Sequence, residues 1–487
     1  MKQLKVLPLV AIISGLMVGC GGGGGGGGGG SAPVITNYTF TFVAPKVQDL
    51  DKNTNCTIFD RFEENGVDRV LNYNTLNGAL DNALVAFYSD ASGKRVGDII
   101  RASNDKLVVT LESIPQGGSV TLQEQSHSII NAVTFSKELL AADSSLRNVY
   151  LSANSFVSNT TCLVNNNYVP VNKNALDYKQ ANDASGNPYS TFYFDSQLDT
   201  VEANESRFTK GEVLPAISGE VTMIAQYRTQ ERSGLYQYGF EDWPESRMVF
   251  TGKTSTPLVS GSGINFSKID IDAVYRNYSY RLAEISKSDS FYHPAVLNGD
   301  IWTFSVTGGI DTNGWQASYN DKVSEQWDII VDDASLFALN NTQDVKPSVS
   351  GNEVALTDSI ALNNEEGLQR FSYQQGATVG STPYVLRHSV YSLIAGDLLV
   401  PDLELSNIPV EAAKKLVVSN DSTMTQGYAF SEQANDLQVA DFMTAYSHGE
   451  GADTRLDVMG IVKNEIQAHD AAIRVSQIKN LFLERTN

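Results

Sequence analysis

The sequence predicts a mainly β protein, built as two or three β-sandwich-like domains, and three observations carry that expectation. Apolar residues recur with a period of two over short runs, as a strand buried on one face requires. Clusters of Gly, Pro, Asn, Asp and Ser separate those runs about every dozen residues. The 3.6-residue apolar repeat of a helix is scarce. With 41% hydrophobic and 9% aromatic residues, the chain has ample material for packed cores.

The elements follow in order. Tyr38, Phe40 and Phe42 fall on one face of the first strand, with Thr39, Thr41 and Val43 on the other. Leu84 to Tyr88 and a strand resuming at Val96 flank Ser89-Asp90-Ala91-Ser92-Gly93, so a hairpin is expected there. Leu107, Val109 and Leu111 alternate, and so do Val120 and Leu122. Between them, Pro115-Gln116-Gly117-Gly118 reads as the turn of a second hairpin, because Pro presets φ and Gly closes the turn. This spacing predicts an immunoglobulin-like β-sandwich over 35–170. The likeness is one of architecture alone, since the Trp packed on a short-range disulfide of such domains is absent.

A polar stretch over 172–187 leads into a β-rich middle domain over 188–340, with strands expected at 191–194, 220–227, 248–251, 301–306 and 326–331. All four tryptophans, Trp243, Trp302, Trp315 and Trp327, lie in it. A second polar stretch, 340–352, precedes a β-rich C-terminal domain over 353–487, with strands expected at 385–394, 416–418 and 455–462. Pro409 opens the best short helix, which runs to Lys415. No internal repeat supports a solenoid or propeller.

The N-terminus has another character. Lys2 and Lys5 precede an apolar run from Leu7 to Val18 that is too short to span a bilayer, the pattern of an export leader. Cys20 follows, then ten glycines from Gly21 to Gly30. Such a run holds no single conformation; as a coil it spans roughly 17 Å, and fully stretched about 33 Å. Beyond Cys20 only Cys56 and Cys162 remain. Export implies an oxidising compartment, where an even pair reads as a disulfide, and no CxxC spacing suggests zinc or redox chemistry. The chain carries 35 Lys+Arg against 56 Asp+Glu, a net charge of −21 that becomes −23 once Lys2 and Lys5 leave with the leader. That sign argues against nucleic acid as a partner.

Motifs for chemistry are mostly missing. The five histidines, His127, His293, His388, His448 and His469, stand far apart and are expected on the surface or in loops. No GxSxG elbow is present. Gly252-Lys253-Thr254 lacks the first glycine of a phosphate loop, whose place is taken by Arg247. Asp49, Asp51, Asn53 and Asn55 alternate like calcium ligands, but neither the sixth-position glycine nor the twelfth-position Glu is there, so a polar turn is expected. Asp311-Thr312-Asn313-Gly314 reads as a turn. In Tyr236-Gln237-Tyr238-Gly239-Phe240-Glu241-Asp242-Trp243, aromatics at 236, 238 and 240 share one face of a strand. Buried, they form a core face; exposed, Tyr236, Tyr238 and Trp243 would stack on sugar rings. Tyr275 to Arg281 poses the same choice. No metal or cofactor is expected.

Leu16-Met17-Val18-Gly19 before Cys20 resembles the lipobox of bacterial lipoproteins, with Met17 where that family usually has Leu. The resemblance implies that residues 1–19 are a lipoprotein signal peptide, and that Cys20 is lipidated on sulfur and acylated on its new amino group. Residues 20–34 are then a lipidated, glycine-rich tether ahead of the β domains. Two or more acyl chains give stable attachment, each buried CH₂ adding about 0.8 kcal/mol. In that family Gly21, in place of Asp, implies the outer membrane, and the chain is expected to be exposed at the cell surface. With its acidic all-β body the chain is similar to surface lipoproteins of gram-negative bacteria, flagellar sheath lipoproteins among them. That implies a structural or coat role without enzymatic activity. Its expected partners are the lipid bilayer, through Cys20, and surface or flagellar proteins or glycans. Two other readings stand beside it: an adhesin for glycans or host surfaces, and a polysaccharide-active enzyme. The latter needs two carboxylates that the sequence does not single out among 56 acids.

Overall fold

Strands carry almost all the regular structure in the computed structural model of the chain. It describes residues 35–76, 83–103, 105–153, 161–164, 170–174, 181–194, 205–207, 213–217, 223–228, 235–240, 249–255, 263–275, 278–286, 291–294, 300–310, 314–324, 328–333, 336, 347–356, 367–394, 397–433, 436–445 and 459–486.

The first third contains β1 (Asn37–Asp49), β2 (Asp60–Glu64), β3 (Val67–Thr75), β4 (Leu84–Ser89), β5 (Arg95–Arg101), β6 (Lys106–Thr110), β7 (Ser119–Ser126), β8 (Ile129–Ser136), the helix α1 (Lys137–Ala142) and β9 (Asn148–Ser152). The middle holds β10 (Pro170–Asn174), β11 (Ser190–Phe194), β12 (Glu205–Arg207), β13 (Val213–Ile217), β14 (Met223–Tyr227), β15 (Leu235–Phe240), β16 (Val249–Ser255), β17 (Lys268–Tyr275), β18 (Tyr278–Ser286), β19 (Phe291–Pro294), β20 (Asp300–Ile310) and β21 (Trp315–Lys322). The last third holds β22 (Ser348–Ser350), β23 (Glu353–Ala355), β24 (Leu368–Val379), β25 (Thr382–Leu393), β26 (Asp397–Leu399), α2 (Val410–Ala413), β27 (Thr423–Ser431), α3 (Val439–Ala445), β28 (Ile461–Val462), α4 (Glu465–Ser476) and β29 (Asn480–Thr486).

One twelve-stranded sheet organises the body, in the order β18-β17-β20-β21-β29-β27-β24-β25-β8-β7-β4-β5. Each third of the chain supplies four of its strands. The pairing is antiparallel except at β25–β8, a parallel seam where the C-terminal third meets the first. Period-two alternation sends side chains to opposite faces. Thus Phe482 joins one core while its neighbours Leu481 and Leu483 join another. On the first face, Tyr38, Phe40 and Phe42 of β1 pack with Leu107, Val109 and Leu151 against Ala86, Leu122, Val133 and Phe135. On the opposite face, β11, β14 and β15 cover one end of the sheet through Phe192, Tyr227, Tyr238 and Phe240. The segment Leu398 to Val418 covers the other end, over Phe371, Leu386 and Val390. The fold is therefore mainly β and sandwich-like.

Local expectations hold better than pairings. The Tyr38–Phe40–Phe42 face is buried as the alternation requires. β4 and β5 form the expected hairpin, with Gly93 at φ +77° in its turn. The turn at Pro115–Gly118 forms too, Gly118 N–H donating to Pro115 O at 3.0 Å, but it makes no hairpin. β6 pairs with β1, whereas β7 pairs with β4 and β8, so this turn carries the chain between two sheets. The segments 35–170, 188–340 and 353–487, expected as successive domains, share the twelve-stranded sheet, and residues 36–487 form one compact unit. An immunoglobulin-like sandwich over 35–170 would close on itself; here β8 pairs with β25 and β9 with β28. Of the strand expected at 326–331, the described part, 328–331, is irregular backbone, as is 416–418, although Ile329, Val331, Leu416 and Val418 are buried. Helix α2 begins after Pro409 as expected.

Cys56 and Cys162 are bonded, with Cα atoms 5.6 Å apart across a sequence separation of 106. Backbone bonds flank the bridge, Thr57 N–H to Leu163 O and Leu163 N–H to Tyr73 O, both 2.9 Å. The covalent link closes a long loop, which in a chain-entropy argument stabilises the fold by up to about 4.7 kcal/mol. Cys56→Ala/Cys162→Ala is accordingly expected to lower stability by about 2–5 kcal/mol in urea titration.

Candidate functional site

The aromatic strand β15 is the first place to look. β14 pairs with it in regular register from Met223↔Phe240 to Gln226↔Gln237, after which Tyr227 lies opposite Leu235. Tyr236 is the extra residue of a β-bulge, which reverses the alternation at that point. Leu235, Tyr238 and Phe240 therefore share the core, and Tyr236 is excluded from it. Tyr238 is fully buried, edge-on to Phe240 and to Trp302 at 5.8 and 5.6 Å between ring centroids. Half-buried Tyr236 packs against Tyr189 at 4.7 Å, and the Arg228 guanidinium lies over both rings. The expectation that 236, 238 and 240 share a face is thus corrected by the bulge. Tyr238 is a core residue and does not meet a ligand; Trp243 lies outside the described residues. Tyr275 and Tyr280 are likewise buried.

Other expected positions resolve as follows. Cys20 lies outside the described residues. Asp49 is taken by ion pairs to Lys52 and Arg69, so the 49–55 segment is a polar turn. Its carboxyl is held below the usual range by the Lys52 hydrogen bond, with Arg69 adding to the effect. Among the described residues no three His, Cys, Asp or Glu side chains converge as metal ligands. His388, expected at the surface, is instead 1% exposed in β25. Its Nε2 lies 2.7 Å from Thr134 Oγ1, which lies 2.7 Å from Thr121 Oγ1. Burial pushes its pKa down to about 3, so it is neutral at pH 7 and serves as an interior polar link. His127 is exposed in the β7–β8 turn.

A concavity sits where three turns meet. Residues Asp90 to Gly93, Gly117 to Ser119 and Ser350 to Glu353, together with β26, enclose about 620 Å³. That falls within the range of small-molecule sites. Its walls are fastened: Asp402 N–H donates to Gly93 O at 3.0 Å, and Val400 N–H to Asn352 O at 2.8 Å. Asn352 Nδ2 donates to Asp402 Oδ1 at 2.6 Å. Asp90 organises its turn by accepting from Ser92 Oγ and Ser92 N–H, bonds that hold its carboxyl below the ordinary range. In the sequence Asp90 to Gly93 reads only as a turn. The cleft joins it to residues some 260 positions later, and no local signal marks that.

The chain matches no protein-family model and no curated protein.

Proposed function

We propose that the chain is a lipid-anchored surface lipoprotein of the outer membrane, whose β body serves a structural or coat role such as that of a flagellar sheath component. The observation that carries this reading is Cys20 itself, set between an export leader and ten glycines. The residue types at those positions suit cleavage, lipidation and free rotation on a leash. No helix among the described residues is long and apolar enough to cross a membrane. Features of the body fit a tethered role. Thr36 N–H donates to both carboxylate oxygens of Glu112, at 3.1 and 3.0 Å. β1 starts one residue later and is bonded to β3, β6 and β9. Tension on the chain at Thr36 would load a strand bonded along both edges, a firmer attachment than a sheet edge. The acidic body repels its own copies and anionic lipid, which suits a surface layer that stays off the bilayer.

An antibody against the body is expected to label intact cells without permeabilisation, and its pattern distinguishes a flagellar sheath from a general coat. Labelling that appears only after the outer membrane is opened would place the body in the periplasm and end the surface reading.

A further inference from the structure

His388 stands on the β25–β8 seam, where the C-terminal third of the chain pairs with the first. Its side chain shares a sheet face with Leu386 and Val390, which pack beneath the covering segment Leu398 to Val418. His388, Thr134 and Thr121 are each at most 1% exposed and form a chain of two 2.7 Å contacts through the hydroxyls. The other ring nitrogen, Nδ1, has no hydrogen-bond partner among the described residues. A neutral ring can leave that nitrogen as a bare lone pair, but an imidazolium carries an N–H there that needs an acceptor. Countercharge is missing as well. Tyr373, opposite His388 on β24 with ring centroids 5.6 Å apart, is kept protonated by burial. Glu124 of β7 and Arg387 of β25 alternate to the opposite face of the sheet. The covering segment turns Ile408, Ala412 and Leu416 inward while Glu411, Lys414 and Lys415 stay exposed, and its Glu404 pairs with Arg95. That segment is tied to the row of His388 itself. Gln123, opposite Ala132 and so two strands from His388, donates from Nε2 to Glu404 O at 2.7 Å and accepts from Glu404 N–H at 2.9 Å.

We propose that the β25–β8 seam is an acid-operated latch, in which proton uptake at His388 frees the covering segment before the rest of the body gives way. The inference is independent of the lipid anchor. Burial sets its sign: the folded chain keeps the ring neutral down to about pH 3, whereas the unfolded chain takes up the proton near pH 6.5. Stability is therefore complete above about pH 6.5 and declines as the pH falls toward the folded value. His388→Gln keeps an amide donor for Thr134 and cannot take the charge. Urea titrations at about pH 7 and about pH 4.5 are expected to show the parent's folding equilibrium constant falling about 50- to 100-fold further than the variant's. The carboxylates and the other histidines are common to both chains and cancel. Equal falls in the two would overturn the proposal. A measurement on the parent alone stands beside this one: the His388 ring resonance of isotope-labelled folded protein is expected to stay unchanged down to about pH 4.5, and a folded-state titration near the unperturbed value of about 6.5 would overturn the proposal. Hydrogen exchange at about pH 4.5 locates the opening, with protection expected to drop first in β8, β25 and the covering segment. A drop shared evenly with β1 and β20 would mean unfolding without a latch and would equally overturn it.

Discussion

Cys20→Ala is expected to move the protein from the membrane fraction to the soluble one, with the folded body unchanged. The thiol is the atom that lipidation consumes, and alanine cannot carry the chain. Each methylene withdrawn from the bilayer forfeits about 0.8 kcal/mol, so losing one chain of a dozen methylenes costs about 10 kcal/mol. No helix among the described residues is long and apolar enough to cross a membrane, and a chain of 56 acids against 35 bases offers little to anionic headgroups. Membrane fractionation followed by circular dichroism of the released protein checks both halves. A variant that sediments with membranes as the parent does would mean that something other than the cysteine holds it there.

The second large effect separates two tyrosines that the sequence presents as equivalents. Tyr238→Ala removes a fully buried ring from the contact with Phe240 and Trp302. A loss of about 3–5 kcal/mol is expected, since the surrounding aromatics cannot collapse into the space. Tyr236→Ala, on the bulge, loses a ring contact with Tyr189 and the face of Arg228. Those interactions contribute about 0.5–1.5 and 0.5–1 kcal/mol, so a total below about 2.5 kcal/mol is expected. Urea midpoints of the two variants decide the matter. Equal losses would mean that the bulge does not turn Tyr236 out of the core.

Those two residues show where the sequence is informative and where it stops. Alternation at Tyr38, Phe40 and Phe42 survives into the fold because one face of β1 is buried along its start, and burial is what writes a period-two pattern. The Asp90–Gly93 turn is legible because the Asp side chain and the positive φ of Gly93 act within four residues. Partner choice is set by contacts far along the chain. The Pro115–Gly118 turn is readable, yet β6 pairs with β1 and β7 with β4, in different sheets. The bulge at Tyr236 leaves no mark in composition. Leu416 and Val418 are buried as part of the segment that covers the sheet rather than in a ladder, and a three-residue apolar run cannot tell those apart. Helix α4 was not anticipated, although Asn464 and Gln467 form a capping box, bonding reciprocally at 2.9 and 3.2 Å. Its apolar stripe is too thin to announce it. The proposed processing signal at Cys20 is a reading that sequence alone can supply, because such a signal acts as extended chain, whereas the cleft exists only once three distant turns are brought together.

The most direct measurement is intact-mass and peptide analysis of the N-terminus of the protein extracted from membranes. The account requires the mature chain to start at Cys20, with residues 1–19 gone and the mass of acyl chains carried on its sulfur and amino groups. A mature chain that begins elsewhere, or that carries an unmodified Cys20, would contradict it.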